Sequence, residues 1–416
     1  MEGLQRRGLK HIVLCPGSRS APLALAAGGL AEDGKIDLIT AIDERSAGFF
    51  ALGLSSVNAK ATAVITTSGS AVAELLPSAV EADKSCLPLL FITADRPLRL
   101  KECGANQTVN QEDFLKCSCR YFVQGPLEGI HLLTPKKLNE LIQIIWLEAH
   151  DFPGPVHLNL PFEEPLYPDL LDQQEVWSGW SPERPEKLNE FSYKESKPKT
   201  IKEENSDYFD FDLSKPGIVI VGPWRGDLED IKSFQKSIKS FHELSGWPIF
   251  GDPLSGVNFN QAGLIRYWEL LLDFLVDSKF LDLQILRLGP IPSSKKLEIW
   301  LENIKGNQVL ISEGDSRNLD PLGLAIQFSK GFVTWWQEYQ VHNKLIKFSS
   351  EEVDITLKKL FYYDTLVEEW LNQRLLLKGQ VNEPALAFWV PRLLPSEFPL
   401  MLAASSPVRD YLTFSG

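Results

Sequence analysis

Short β-branched runs alternate with helix-period segments from the start of this chain, and that alternation limits the fold more than any other feature. His11–Cys15, Leu38–Ile42, Thr62–Thr67, Leu89–Ala94 and Val156–Leu160 read as strands, with helical segments such as Ser46–Val57 and Ser70–Ala82 between them. Alternation at this spacing predicts a parallel sheet with helices on both faces. A second α/β unit opens at Gly217-Ile-Val-Ile-Val-Gly222 and continues through Pro248-Ile-Phe-Gly251, Leu283–Leu288 and Val309–Ser312. Trp335, Trp336 and Tyr339 fall in a helical stretch and read as core or interface packing rather than a base-stacking platform. Residues from about Asn382 onward read as helix, turn and strand.

The two units flank an acidic stretch. Residues 163–212 hold 14 acidic and 6 basic side chains, so most of the net charge of −13 belongs to one segment. Residues 165–212 are rich in Pro, Glu, Lys, Ser and Asp without a sustained period, which suits a surface connector. The acidic sum argues against general affinity for nucleic acid or anionic lipid. The flanking segments stay near neutral and have room for a basic pocket. The longest apolar stretches, such as Leu87–Ala94, fall short of the roughly 18–20 residues that cross a bilayer, and no signal-peptide pattern precedes the first strand, so a soluble cytoplasmic protein is expected. Cys117 and Cys119 are one residue apart, a spacing that fits neither a zinc knuckle nor a thioredoxin-like pair. All five cysteines read as plain thiols in or near cores.

In parallel sheets, ligands bind beyond the carboxyl ends of the strands. The segments there are Pro16-Gly17-Ser18-Arg19-Ser20, Asp43-Glu44-Arg45, Thr67-Ser68-Gly69-Ser70 and Asp95-Arg96-Pro97. Glycine lets the backbone turn tightly, and a Ser-rich turn opening a helix presents N–H groups to an anion. Each loop taken singly is equally what helix N-caps produce. Glu44, directly after a strand, has the place of a general acid/base whose pKa an enclosed site would raise, and equally that of a helix N-terminal Glu stabilised by the macrodipole. Arg19, Arg96, Lys295, Lys296 and Arg409 form a cationic set from distant segments, suited to a substrate with several carboxylates if they converge. Gly222-Pro-Trp-Arg-Gly226 lacks the spacing of a dinucleotide loop.

Together these segments resemble a known family. Leu14-Cys-Pro-Gly-Ser-Arg-Ser-Ala-Pro-Leu23, Asp43-Glu44-Arg45-Ser-Ala-Gly-Phe-Phe-Ala-Leu-Gly53, Thr67-Ser-Gly-Ser-Ala-Val72, Thr93-Ala-Asp-Arg-Pro97 and Cys103-Gly-Ala-Asn-Gln107 are similar to 2-succinyl-5-enolpyruvyl-6-hydroxy-3-cyclohexene-1-carboxylate synthase, a thiamine-diphosphate enzyme of menaquinone and phylloquinone biosynthesis. Gly154-Pro-Val-His-Leu-Asn-Leu-Pro-Phe162, Glu164-Pro-Leu-Tyr167, Leu319-Asp-Pro321 and Ser405-Ser-Pro-Val-Arg-Asp410 follow in family order over nearly the whole chain.

The resemblance implies Rossmann-like three-layer domains: a pyrimidine-binding domain over 1–168, the acidic connector over 169–212, a central domain over 213–375 and the start of a diphosphate-binding domain over 376–416. It implies a transferase that decarboxylates 2-oxoglutarate and adds the remaining succinyl-semialdehyde unit to isochorismate. Glu44 would hydrogen-bond the aminopyrimidine ring and favour the tautomer that takes the thiazolium C2 proton. Glu44, Ser68 and Gly69 would bind the cofactor. Ser18, Arg19, Arg96, Asn106, Gln107 and Lys295 would hold isochorismate, and Ser405 and Arg409 the succinyl carboxylate. A homodimer or homotetramer is implied as well.

Two departures stand out. Lys295-Lys296 replaces the Lys-Arg common in the family, which puts a bidentate contact in doubt. Thiamine enzymes of this kind bind Mg2+ and diphosphate through Gly-Asp-Gly or Gly-Asp-Leu and an Asn about 25–30 residues later, because Mg2+ takes oxygen ligands. Gly314-Asp315-Ser316 with Asn343, and Gly226-Asp227-Leu228, read as chance matches. The chain is therefore expected to begin inside the family's first helix and to stop before the Mg2+ and diphosphate site. A noncatalytic binding remnant of the same scaffold and an acetolactate-type carboligase are the alternative readings. The Ser18-Arg19 loop and Arg96 weigh against the latter, since a small neutral acceptor does not need them.

Overall fold

The computed structural model describes residues 1–101, 103–167, 212–275, 281–342, 351–379, 381–395 and 397–416. The chain divides into two compact units, Met1–Pro198 and Lys199–Gly416. Apart from Asp212, the acidic connector lies outside the described residues, as does Asn343.

In the first unit the β-branched runs form β1 (His11–Leu14), β2 (Asp37–Thr40), β3 (Thr62–Thr66), β4 (Leu89–Asp95), β5 (Tyr121–Gln124) and β6 (Pro155–Pro161). They pair in the order β2-β1-β3-β4-β6-β5, every neighbouring pair parallel. Successive strand residues point to opposite faces. Ile12, Leu14, Ala63, Ile65, Leu90 and Ile92 therefore enter one core, and Val13, Cys15, Val64 and Phe91 enter the other. Leu23, Ala27 and Leu30 of α2 (Ala21–Glu32) and Leu141, Ile142 and Ile145 of α6 (Pro135–His150) cover the first face, with Leu4 of α1 (Glu2–Arg6). The second is covered by α3 (Glu44–Asn58), α4 (Ser70–Ala73) and α5 (Leu76–Ser85). Burial on both faces explains the near-continuous apolar runs.

The second unit repeats the plan. Its strands are β7 (Gly217–Val221), β8 (Ile249–Gly251), β9 (Leu264–Ile265), β10 (Gln284–Leu288), β11 (Gln308–Ile311) and β12 (Ala325–Phe328). The order is β12-β11-β10-β7-β8-β9, again parallel throughout. The helices among the described residues are α7 (Ile231–Ser245), α8 (Trp268–Leu271), α9 (Lys295–Asn303), α10 (Phe332–His342), α11 (Glu351–Arg374), α12 (Glu383–Leu393) and α13 (Ser406–Phe414). Trp335, Trp336 and Tyr339 on α10 are buried in the core with Phe241, whose ring centroid lies 5.0 Å from that of Trp336.

Several expectations are corrected. The helix expected over Ser70–Ala82 is two helices, because Pro77 has no N–H and its ring meets the carbonyl of the preceding turn; it sits instead in the first turn of α5. β5, β9 and β12 were not anticipated: each is short, and the burial of β12 is only partial. The strand expected ahead of Ser405 does not form. No neighbouring strand takes up its backbone groups, and the flanking helices pack on the second unit through Phe388 and Leu412. Cys15 and Cys119 are buried and Cys86 half-buried, whereas surface turns leave Cys103 and Cys117 exposed.

One buried ion pair fastens the far edge of the second sheet. Arg287 on β10 donates to Asp320 at 2.7 Å, and both side chains are almost fully buried. The Asp320 carboxylate also accepts the backbone N–H groups of Leu322, Leu324 and Ala325 at 3.2, 2.6 and 2.7 Å, which shapes the entry to β12. Burial alone would raise this carboxyl; the Arg287 and backbone bonds overcome it and hold the group below its ordinary 3.8. Asp320→Asn leaves the guanidinium charge buried without its counter-ion, so urea unfolding at neutral pH should show a loss of about 3–5 kcal/mol. A change near zero would show that the pair does not hold the edge.

Candidate functional site

Parallel pairing puts the carboxyl ends of the first sheet on one edge, and the strand order reverses between β1 and β3, where a crevice is expected. The loops after these strands touch. A Cβ at Gly17 would lie 2.4 Å from the Thr67 Cβ, so only glycine permits this approach. Next to it Ser18–Ser20 forms a 3-10 turn leading into α2, with the Ser20 N–H and hydroxyl both donated to the Gly17 carbonyl.

Arg19 is only 3% exposed. It donates to the Phe162 carbonyl at 2.9 Å and to Glu164 at 3.4 Å, while its Nε has no partner. Burial, and then the neighbouring Arg96 guanidinium, pull Arg19 below its ordinary value. Arg96 is half-buried at the end of β4, with its Nη2 donating to Gln107 at 3.3 Å and its Nε unpartnered. Nearby Glu163 is neutralised by a bidentate Arg99 at 2.9 and 2.7 Å, which holds its carboxyl down at about 2. Two guanidinium groups with unused donors, balanced by the exposed Glu164, make an anion site. Of the residues expected to bind isochorismate, the structure brings Arg19, Arg96 and Gln107 together; Ser18 adjoins Arg19, and Asn106 is exposed beside Gln107.

Beneath this edge lies a buried polar network that sequence reading did not single out. Gly69, at φ +93°, donates its N–H to Gln111 at 2.9 Å. Gln111 donates to the Ala94 carbonyl and to Asn159 at 3.0 and 2.8 Å. Asn159 in turn donates to Asp95 and Gln124 at 2.7 and 2.9 Å. Asp95 accepts the Arg96 N–H at 2.7 Å and Lys101 at 2.9 Å. Thr93 gives its one hydroxyl proton to Asn159 Oδ1, so His157, 2.8 Å away, must donate from Nε2. The signal for these residues was polar side chains inside otherwise apolar strands, as in His157-Leu-Asn159.

Glu44 is the first residue of α3, capped by Asp43, which accepts the Ser46 N–H at 2.7 Å. It faces the end of β1: burial, with Glu44 and Asp43 adding to it, pushes the Cys15 thiol up to about 12. The enclosure expected around Glu44 is not made within this unit, where Glu44 is half-exposed and Ile42 is 93% exposed. Ser68 is buried with an unpartnered hydroxyl. A half-exposed carboxylate and an unused buried hydroxyl fit the ring of a hydrogen-bonding cofactor such as thiamine, whereas the Gly69 N–H is already taken by Gln111.

In the second unit Lys295 pairs with Glu298 and Lys296 with Asp273, each at 2.7 Å. Ser405, at φ +82°, accepts from Arg409 at 3.5 Å, so these two do meet. The carboxylates of the two Gly-Asp segments are engaged: Asp315 by Arg317 at 2.7 Å, and Asp227 by the Glu229 N–H at 3.0 Å. Among the described residues no cluster of three His, Cys, Asp or Glu is arranged to hold a metal ion. The donor set there does not fit Mg2+. No helix among the described residues is long and apolar enough to cross a membrane.

Residues 1–114 match the family described as thiamine pyrophosphate enzyme, N-terminal TPP binding domain, and the first unit is therefore of the thiamine-enzyme class. The chain is 51% identical over 413 residues to 2-succinyl-5-enolpyruvyl-6-hydroxy-3-cyclohexene-1-carboxylate synthase of Prochlorococcus marinus (strain MIT 9313), covering 98% of this chain and 71% of that protein. A protein of the same name from Synechococcus sp. (strain WH7803) is 49% identical, covering 99% of this chain and 70% of its own length. This chain belongs to the 2-succinyl-5-enolpyruvyl-6-hydroxy-3-cyclohexene-1-carboxylate synthase family.

His157 gives the network a pH signature. Burial, with a smaller push from Lys116, lowers its pKa from 6.5 to about 3. The unfolded imidazole takes up a proton below 6.5 and the folded one only near 3. Stability should therefore fall as pH drops through that window, by about 1.4 kcal/mol per unit from this group. Denaturant titrations between pH 5 and 6.5, roughly above the carboxylate range, should show a steeper slope in the wild type than in His157→Gln, which keeps the part due to His150, also lowered by burial. Equal slopes would assign it elsewhere.

Proposed function

We propose that this chain acts in the decarboxylating transfer of the succinyl-semialdehyde unit of 2-oxoglutarate to isochorismate, in menaquinone or phylloquinone biosynthesis. The observation that carries this reading is the paired, incompletely neutralised Arg19 and Arg96 on the switch-point edge of a thiamine-class domain. Isochorismate is a dianion, and guanidinium forks suit carboxylates bidentately. A neutral acceptor would leave the unused donors of Arg19 and Arg96 without an anion to accept from them.

Thiamine diphosphate, when bound, supplies the centre that stabilises the carbanion left by loss of CO2. Glu44 would hydrogen-bond the aminopyrimidine ring, and Ser68 would offer the cofactor its unpartnered hydroxyl. Arg19 and Arg96, with Ser18, Asn106 and Gln107, orient the acceptor. Lys295 is read as a further acceptor contact, and Ser405 with Arg409 as the holder of the succinyl carboxylate. Mg2+, which the resemblance pairs with the diphosphate, is assigned to neither Gly-Asp segment of this chain.

The domain reading follows: 1–168 as the pyrimidine-binding domain, 213–375 as the central domain and 376–416 as the start of a diphosphate-binding domain. We also read the chain as cytoplasmic and as pairing with a second copy. Phe49 and Phe50 are about half exposed on the helix that begins with Glu44, beside Ile42, and such a face suits a subunit contact that would enclose the carboxylate.

Three experiments test these readings. Calorimetric titration with isochorismate should show binding that Arg96→Ala weakens tenfold or more, as loss of hydrogen bonds to a charged group costs about 1.5–3 kcal/mol. Release of CO2 from 2-oxoglutarate in the presence of isochorismate and thiamine diphosphate tests the reaction itself. Binding without CO2 release would favour a binding protein, and use of pyruvate with isochorismate ignored would favour an acetolactate-type carboligase. Separately, sedimentation should find a dimer that Phe50→Glu dissociates; a wild-type monomer at every concentration rejects the pairing.

A further inference from the structure

We propose that Gln111 is a positioning residue for the anion site: its side-chain amide ties the Gly69 turn to Arg96 and sets how the two face the ligand. The proposal rests on the reading of the Arg19–Arg96 edge given above. Gln111 is fully buried, and all of its hydrogen-bonding groups are used. Its Oε1 accepts from Gly69, and its Nε2 donates to the Ala94 carbonyl and Asn159. The orientation of this amide is forced, since a backbone N–H can only donate and a carbonyl can only accept.

The same logic fixes Asn159, whose Oδ1 accepts from Gln111 and Thr93 while its Nδ2 donates to Asp95 and Gln124. Asp95 then accepts the Arg96 N–H with its other oxygen. Arg96 returns to Gln107 at 3.3 Å, and the Gln107 Cβ lies 3.3 Å from where a Gly69 Cβ would stand. The hydrogen bonds therefore form one chain, from Gly69 through Gln111, Asn159, Asp95 and Arg96 to Gln107, whose two ends lie close together. Neither buried amide of the chain, Gln111 or Asn159, can flip without leaving buried groups unpaired, so this part has one arrangement. Gln111 is the member that joins the end of β3 to the end of β4, and cutting it lets the turn and the guanidinium move separately.

The test uses the full chain with two readouts, isochorismate affinity by calorimetry and hydrogen exchange of peptides covering Gly69 and Arg96. Gln111→Leu keeps the approximate volume and removes all three bonds. It should speed exchange at both supports and raise the dissociation constant about tenfold, the scale of one lost buried hydrogen bond. Gln111→Glu keeps the acceptor toward Gly69 and should regain part of the affinity as the pH is lowered, because protonation restores a donor. Ser55→Ala, which removes a buried bond from the Thr62 N–H elsewhere in the unit, should lower the unfolding temperature and leave affinity unchanged. If Gln111→Leu does not fold, Gln111→Glu at neutral pH gives the same readouts. Unchanged affinity in a folded Gln111 variant, or faster exchange at Gly69 alone, overturns the proposal. A wild-type chain that takes up no isochorismate refutes the reading of the pocket instead, and exchange at Arg96 then decides the tie.

Discussion

Parallel strand pairing is the constraint from which the rest follows. A parallel neighbour can be reached only by a crossover that returns to the same end of the sheet, through a helix after most strands and through loops after β8 and β11, so every carboxyl end lies on one edge. Both faces are then covered, which leaves the loops on that edge as the place where polar chemistry can sit. In the first unit the crossing between β1 and β3 brings Gly17 against Thr67 and sets Arg19 beside Arg96. Segments nearly 80 residues apart in sequence thus become neighbours without a long-range contact designed for that purpose.

Much of this was legible in the chain. The buried strands announced themselves because burial on two faces demands unbroken apolar runs, and β1, β3, β4 and β6 lie close to where those runs place them. The edge strand β12 and the short β5 and β9 did not, since a strand that is brief or half-exposed carries little pattern. Pro77 split a helix whose period ran through it. At the site, Arg19, Arg96 and Glu44 were visible as charges after strands, whereas Gln111 and Asn159 were not. An uncharged amide is conspicuous only when its burial is known, and burial is a property of the fold.

The acidic net charge describes the chain as a whole and hardly bears on the pocket. Glu163 is consumed by Arg99, and Asp95 by Lys101 and the Arg96 backbone. The field at the crevice is set by which carboxylates have already been spent on neighbours. A surplus of acid elsewhere is screened over about 8–10 Å at physiological ionic strength.

The burial of Arg19 beneath Phe162 and Glu164 carries a consequence for how a ligand arrives. Its carboxylate does not meet a bare cation; it replaces one carboxylate with another, as a counter-ion does on an exchange resin. Much of the Coulomb gain at that guanidinium cancels in the swap. Preference among anions then falls to shape and to the second negative charge, the one that Arg96 can meet without displacing an acid. A site built this way ranks its ligands by what they carry beyond the first charge.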